Sequence, residues 1–293
     1  MWHFISNKTW RYGAVVALAV AAVAATGACS DNTIDDVSEP VKLVVEGYID
    51  SGGFPVVLLT ASVSPAEGDV SIADKMIRWG KVTISDGDTT IIMTGSPNRK
   101  YFPPYTYRTF MMRGVPGRTY SITAAYDYLQ VSAAVTMPEP PVIDSIIVAD
   151  IAGSDSLRTA TLCFTAADAV PAYYHVSTQV IGVDSVFLPA MLGCYKATVP
   201  GEKVKMAIYR GKSSLYVNEN YVPQLPRYSD VKVRLERVTE QVYDFWSAFD
   251  DASMFGGSQF VTVDTSLPSN IVGGYGVWSA QGAATRGIPR ERD

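Results

Sequence analysis

Val115-Pro116-Gly117-Arg118-Thr119-Tyr120-Ser121-Ile122-Thr123-Ala124 sets a Pro-Gly turn directly before a strand of alternating side chains. A period of two marks a strand with one face buried. Tyr120 stands where sandwich proteins lock a corner, the phenol bonding back to backbone just upstream. The stretch reads as immunoglobulin-like. Outward from it the same rhythm of short runs and turns continues. Val41-Lys42-Leu43-Val44-Val45-Glu46-Gly47-Tyr48-Ile49 is a first strand and Ser51-Gly52-Gly53 a turn. Pro55-Val56-Val57-Leu58-Leu59-Thr60 is a second strand, and Lys81-Val82-Thr83-Ile84-Ser85 enters an Asp-Gly hairpin. The turn Asp86-Gly87-Asp88 lacks the further oxygen ligands of a calcium loop. The expected fold is mainly all-β, an N-terminal immunoglobulin-like β-sandwich over 41–137.

Met137-Pro138-Glu139-Pro140-Pro141 places three prolines in four positions, which stiffens the chain and blocks sheet pairing. A second β-rich domain with one short helix is expected over 142–282, then a polar tail over 283–293. Strands are read at 142–149, 160–165, 173–180 and 231–235. The interval 185–226, with Pro189, Pro200, Pro223 and Pro226, reads as a long irregular excursion. A helix is expected from about 239 to 252, capped by Thr239, with Val242, Phe245, Trp246 and Phe249 on one apolar face that packs on a sheet. Near the end, Asn270, Gly273, Gly274 and Gly276 read as structural residues, the glycines supplying positive φ or close backbone approach before a closing strand. Tyr120 is structural in the same sense.

Two basic residues, Lys8 and Arg11, precede the uncharged run 13–28 and then Cys29, the layout of a signal peptide over 1–28. The run is shorter than the ~20 residues of a spanning helix. Ala25-Thr26-Gly27-Ala28-Cys29 resembles a lipobox, with Thr26 where an aliphatic residue is usual, so Cys29 is the expected lipidation site. Two acyl chains on one cysteine give the double anchor that stable attachment needs. Residues 29–40 then read as the lipidated cysteine and a flexible acidic tether.

The formal net charge is −5, and Lys and Arg are scattered, which disfavours nucleic-acid binding. Outside the signal region the one histidine is His175, with no Gly-x-Ser-x-Gly elbow, so a serine hydrolase would have to be built around it. No zinc-type spacing of Cys and His is present, and neither metal nor cofactor is expected. Cys163 and Cys194 leave a disulfide open, against the alternative of buried free thiols. The aromatic stretch Lys100-Tyr101-Phe102-Pro103-Pro104-Tyr105-Thr106-Tyr107-Arg108 reads as an exposed loop, so Tyr101, Phe102, Tyr105 and Tyr107 are the candidate binding residues.

Val44-Val45-Glu46-Gly47-Tyr48-Ile49 and Pro55-Val56-Val57-Leu58-Leu59-Thr60, with the distant Pro268-Ser269-Asn270-Ile271-Val272-Gly273-Gly274-Tyr275-Gly276-Val277-Trp278, resemble the DUF4249 lipoproteins of Bacteroidetes. Trp278 replaces the phenylalanine of that pattern. The resemblance implies a cell-envelope lipoprotein beside a TonB-dependent outer-membrane receptor. It supplies no catalytic or ligand residues. The expected function is thus a non-enzymatic binding or accessory subunit for nutrient uptake, lipid-anchored in the outer membrane and facing the cell surface. A structural or adhesion lipoprotein is the alternative, and a secreted hydrolase a third reading.

Overall fold

The computed structural model describes residues 40–63, 73–212, 221–255 and 267–292. Cys29, the signal region and most of the tether lie outside them. In chain order the strands are β1 (Leu43–Asp50), β2 (Val56–Ala61), β3 (Lys81–Ser85), β4 (Thr90–Ile92), β5 (Thr94–Pro97), β6 (Tyr105–Arg108), β7 (Thr119–Tyr126) and β8 (Leu129–Thr136). There follow β9 (Ile143–Ile151), β10 (Ser154–Thr165), β11 (Ala172–Val180), β12 (Leu188–Ala197), β13 (Lys203–Ile208), β14 (Leu225–Pro226) and β15 (Val231–Val238). Helix α1 (Glu240–Phe255) and the closing strand β16 (Tyr275–Ile288) complete the chain. The fold is mainly β, with α1 the one helix among the described residues.

One eight-stranded sheet, ordered β12-β11-β15-β16-β1-β2-β6-β5, runs the length of the body. Two four-stranded sheets pack on it. The first, β4-β3-β7-β8, encloses a core with Leu43, Val45, Ile49, Tyr120, Ile122 and Trp278. The second has β10 at its centre, with β9 on one edge and β13 and β14 on the other. Its core holds Leu162, Phe164, Tyr174, Val176, Val233 and Leu235.

Strand β16 joins the two halves. Its residues from Tyr275 to Gln281 pair in parallel with β1, and those from Gly282 to Ile288 pair antiparallel with β15. Trp278 and Ala280 therefore belong to the first core, whereas Ile288 belongs to the second. The break at 137–141 does separate β8 from β9, but the closing strand crosses it. On the edge of β16 that β15 does not reach, Asn270 takes a strand's place. Its amide donates to the Trp278 carbonyl at 2.7 Å and its oxygen accepts the Trp278 N–H at 2.9 Å. Gly276 follows at φ 106°, where an added Cβ would lie 1.9 Å from the Val45 carbonyl oxygen. The parallel pair closes only because that side chain is missing.

Tyr120 is fully buried, and its hydroxyl donates to the Arg113 carbonyl at 3.1 Å and accepts the Val115 N–H at 2.8 Å. Its own carbonyl takes the Trp278 indole N–H at 3.0 Å, so the corner and the closing strand are fastened at one residue. Tyr120→Phe leaves the Val115 N–H and Arg113 carbonyl without this partner, and a loss of about 1–2 kcal/mol is expected in chemical denaturation. An unchanged midpoint would mean that water replaces the phenol.

Three expectations are corrected. Residues 105–108 are not an exposed loop: they form β6 between β2 and β5, with Thr106 and Tyr107 buried. Prolines 103 and 104 end the loop just before the strand, so it pairs without interruption. The excursion at 185–226 contains β12 and β13. Within β12 the register to β11 shifts between His175 and Ser177, and Leu192 sits at φ 54°, which spoils the regular alternation. The expected polar tail over 283–293 is, as far as it is described, to residue 292, no free tail. Up to Ile288 they are strand, and beyond it Arg158, 2 % exposed, donates to the carbonyls of Pro226, Ser229 and Pro289. The small residues Gly282, Ala283 and Ala284 hide this strand from a hydrophobicity reading; its ladder to β15 makes it.

Candidate functional site

Both four-stranded sheets cover the same face of the long sheet. The opposite face carries the side chains that alternate away from the cores: Glu46, Tyr48 and Asp50 on β1, and Val277, Ser279 and Gln281 on β16. Arg234, Glu236 and Val238 on β15, with Tyr173, His175 and Ser177 on β11, complete it. Register places them side by side, Glu46 with Val277, Asp50 with Gln281, His175 with Glu236 and Ser177 with Arg234. Helix α1 lies across this face. Val242 and Phe245 pack on Tyr173, Val238 and Val277, and Trp246 stacks on the His175 ring at 4.9 Å and 14°. The apolar spacing read from the sequence thus seats the helix as expected. Its start differs in one respect: the Thr239 carbonyl accepts the Tyr243 N–H at 3.0 Å, but the buried Thr239 hydroxyl makes no hydrogen bond. Glu240 in the first turn instead meets the positive end of the helix dipole.

Beneath the helix is a chain of buried charges. Glu236, 2 % exposed, bonds His175 Nδ1 at 2.6 Å through one oxygen, and accepts the Ser177 hydroxyl and Arg234 Nε through the other, each at 2.8 Å. Arg234 Nη1 reaches Asp50 at 2.5 Å, and the second Asp50 oxygen accepts the Gln281 amide at 2.8 Å. The Phe187 ring covers the guanidinium at 4.1 Å. Burial works to raise the Glu236 carboxyl, but Arg234 and the hydrogen bonds from His175 and Ser177 outweigh it and hold it below its ordinary value. At Asp50 burial wins over Arg234 and the carboxyl is raised. The Ser177 hydroxyl donates to the same carboxylate that binds His175, so it is not the hydrogen-bonded serine and imidazole of an activated nucleophile. The arrangement supports a wall; it does not itself present a reactive group.

That wall borders a cavity of about 570 Å³ between the sheet, α1 and the loops at 99–104 and 183–189, within the ~300–1,000 Å³ typical of small-molecule sites. Tyr48, Phe187, Phe245, Trp246 and Phe249 give it aromatic sides. Tyr101 docks its hydroxyl on that of Tyr48 at 2.8 Å. A smaller recess of about 80 Å³ continues past Glu46 and Trp246 toward His175 and Gln281. Two charged groups stand out. Glu46 is solvent-exposed on the cavity wall, forms no hydrogen bond or ion pair among the described residues, and has its carboxyl raised by the protein packed around it. Lys212 is 6 % exposed and its Nζ has no hydrogen-bond partner among the described residues; burial lowers its pKa, against the opposing pull of the Asp250 carboxylate. Asp184 also lines the cavity, but the Val180 N–H and Arg210 already occupy its oxygens. Asp250, on α1, is likewise engaged by the backbone N–H groups of Leu192 and Gly193.

The model of the family described as a domain of unknown function, DUF4249, matches residues 31–286. The chain belongs to the DUF4249 family. No curated protein matches it. The region shared with the DUF4249 family takes in β1, α1 and β16 as far as Arg286, so every residue of the cavity and of the charge chain falls inside it.

Of the aromatic residues singled out in this DUF4249 chain, Tyr101 and Phe102 line the cavity and Tyr105 and Tyr107 do not. Tyr107 is buried in the first core, where its hydroxyl accepts the Gly80 N–H and donates to the Ile77 carbonyl, both at 2.9 Å. Tyr105 donates to the Arg78 carbonyl at 3.0 Å. Period two explains the split, because β6 pairs into the sheet and fixes where its rings go. Cys163 and Cys194 are free thiols. They stand on different sheets at positions alternating with the core residues Leu162 and Phe164 and with Tyr195 and Ala197, so they point out of the second sandwich on opposite sides. Cys194 lies under α1, where burial pushes its thiol up and keeps it protonated. Among the described residues no group of three or more His, Cys, Asp and Glu side chains is placed to hold a metal ion, and no helix is long and apolar enough to cross a membrane. Sequence reasoning missed Glu46, Lys212, Trp246 and Phe187. One signal was there to use: the polar alternation Lys232-Arg234-Glu236 on a strand that runs straight into an apolar-faced helix, which must come to rest on something.

Proposed function

We propose that this chain is a lipid-anchored envelope protein that captures a small ligand, without chemistry, in the cavity beneath α1. The observation that carries the reading is the cavity itself, with aromatic sides and two charged side chains, Glu46 and Lys212, that no hydrogen bond engages among the described residues. Buried polar groups are normally paired. Lys212 is buried without an acceptor among the described residues, on the same cavity as the exposed carboxylate of Glu46, and a ligand that enters can engage both. The uncharged run before Cys29 and the acidic tether support anchoring, and residues 29–40 give the body reach from the bilayer. In this reading the protein sits on the outer membrane, facing outward, and hands its ligand to a TonB-dependent receptor.

Leu58 faces the cavity, paired with Glu46 on β2, so Leu58→Trp fills it from the floor. Native mass spectrometry of the chain isolated from its own envelope is expected to show a bound small molecule, lost in Leu58→Trp with the β-sheet circular dichroism intact. Retention of that mass by the variant, or an empty wild type, counts against capture at this site. Affinity purification after mild solubilisation is expected to bring down a large β-barrel. Recovery of the chain alone counts against the receptor partnership.

A further inference from the structure

The chemistry of the cavity wall restricts what it holds. Glu46 offers a carboxylate with no internal counter-charge, among rings whose faces attract cations. A ligand that covers this exposed carboxylate displaces its water, and a cation on that ligand is then drawn more strongly than at a wet surface. Lys212 offers the reverse. Its Nζ is enclosed, has no acceptor at hydrogen-bond distance among the described residues, lies 6.0 Å from the centre of the Phe249 ring, and has the Asp250 carboxylate as a nearby counter-charge. A buried ammonium without an acceptor is costly, and an anionic group that enters the cavity relieves that cost. Arg99 and Lys100, exposed on the same wall, extend the positive side outward. Between the two charges the surface is aromatic.

We infer that the cavity takes a zwitterion with an apolar body, its ammonium on Glu46 and its carboxylate or other anionic end on Lys212, as in a short peptide with free termini. This rests on the cavity being the capture site. A simple hydrophobe covers Glu46 and Lys212 without pairing either, and a ligand of one sign pairs only one of them.

The probe is the dipeptide phenylalanyl-leucine, followed by the fluorescence of Trp246 and by calorimetry, with its N-acetylated and C-amidated forms as comparators. N-acetylation and Glu46→Gln are each expected to weaken binding at least tenfold, and together no more than either alone. C-amidation and Lys212→Met are expected to behave as the second such pair. Lys212→Met also takes a cation from beside the buried Asp250, so a circular-dichroism melt checks that this variant folds before its binding is read. Equal binding of the acetylated peptide, or additive losses within a pair, overturns the assignment. If the dipeptide fails to bind at millimolar concentration but the uncharged dye Nile red binds and is excluded by Leu58→Trp, the capture site stands and the zwitterion falls. If neither binds, both fall.

Discussion

Gly276→Val is expected to leave the chain largely unfolded at 37 °C. The position has φ 106°, which a β-branched residue does not tolerate, and the Cβ would fall 1.9 Å from the Val45 oxygen, on backbone that cannot swing aside. Relief requires β16 to part from β1, and with it Trp278 to leave the first core. Opening a core in this way belongs to the largest class of single-residue effects, above about 4 kcal/mol, against a total of about 5–15 kcal/mol for a folded domain. The urea midpoint should fall by more than about 1 M. Gly87→Ala is the control. Gly87 has a similar φ of 93° with nothing within 4 Å, so only backbone strain of about 1–2 kcal/mol is expected there. Equal losses at the two glycines would show that strain, and not the close approach of the two strands, sets the requirement.

Arg234→Met is expected to cost about 3–5 kcal/mol at neutral pH, because it leaves Glu236 and Asp50 without the cation that both share. The pH dependence separates this from lost packing. In the wild type the Glu236 carboxyl is held below its ordinary value, so its contribution is present above that value and is lost as pH falls through the lower folded pKa. Asp50, raised by burial, works in the opposite direction over the same acid range. Without Arg234 both folded pKa values rise relative to the wild type, so the variant's folded state takes up protons at higher pH. Ionisation of either then favours folding less than in the wild type, and acidification relieves that loss. The deficit of the variant should therefore shrink from pH 7 to pH 4. A constant deficit would place the loss in packing against Phe187 and Tyr48. Arg234→Lys, which keeps the charge but not the fork that grips Asp50 and Glu236 together, should fall between the two proteins.

The strands with one wet or polar face were legible in the sequence, because burial there alternates as the residues do. β1 shows it well: Leu43, Val45 and Ile49 are buried, and Glu46, Tyr48 and Asp50 turn away from that core. What alternation conceals is what covers the second face. Glu46 and Asp50 look like ordinary outward residues until α1 and the loops at 99–104 and 183–189 close over them, and nothing local to β1 encodes that cover. His175 was visible as a lone histidine on a strand. Its partner Glu236 lies 61 residues on, brought alongside by the pairing of β11 with β15. The candidate site was thus half legible. Tyr101 and Phe102 could be found because proline confines them to a loop, whereas the floor and the charge chain are assembled by register alone. β12 and β16 were hidden for separate reasons, an irregular register in one and small side chains in the other.

The shared strand also bears on how such a chain is made. Asp50 and Gln281, bonded in the finished protein, are 231 residues apart, and Trp278, which completes the first core, is just as remote from β1. A ribosome delivers β1 to β8 long before it delivers β16. Through that interval the early half has an open slot along β1 and cannot finish folding, whatever its other contacts. The early half thus keeps an unfilled edge along β1 until the late strand arrives to seal it.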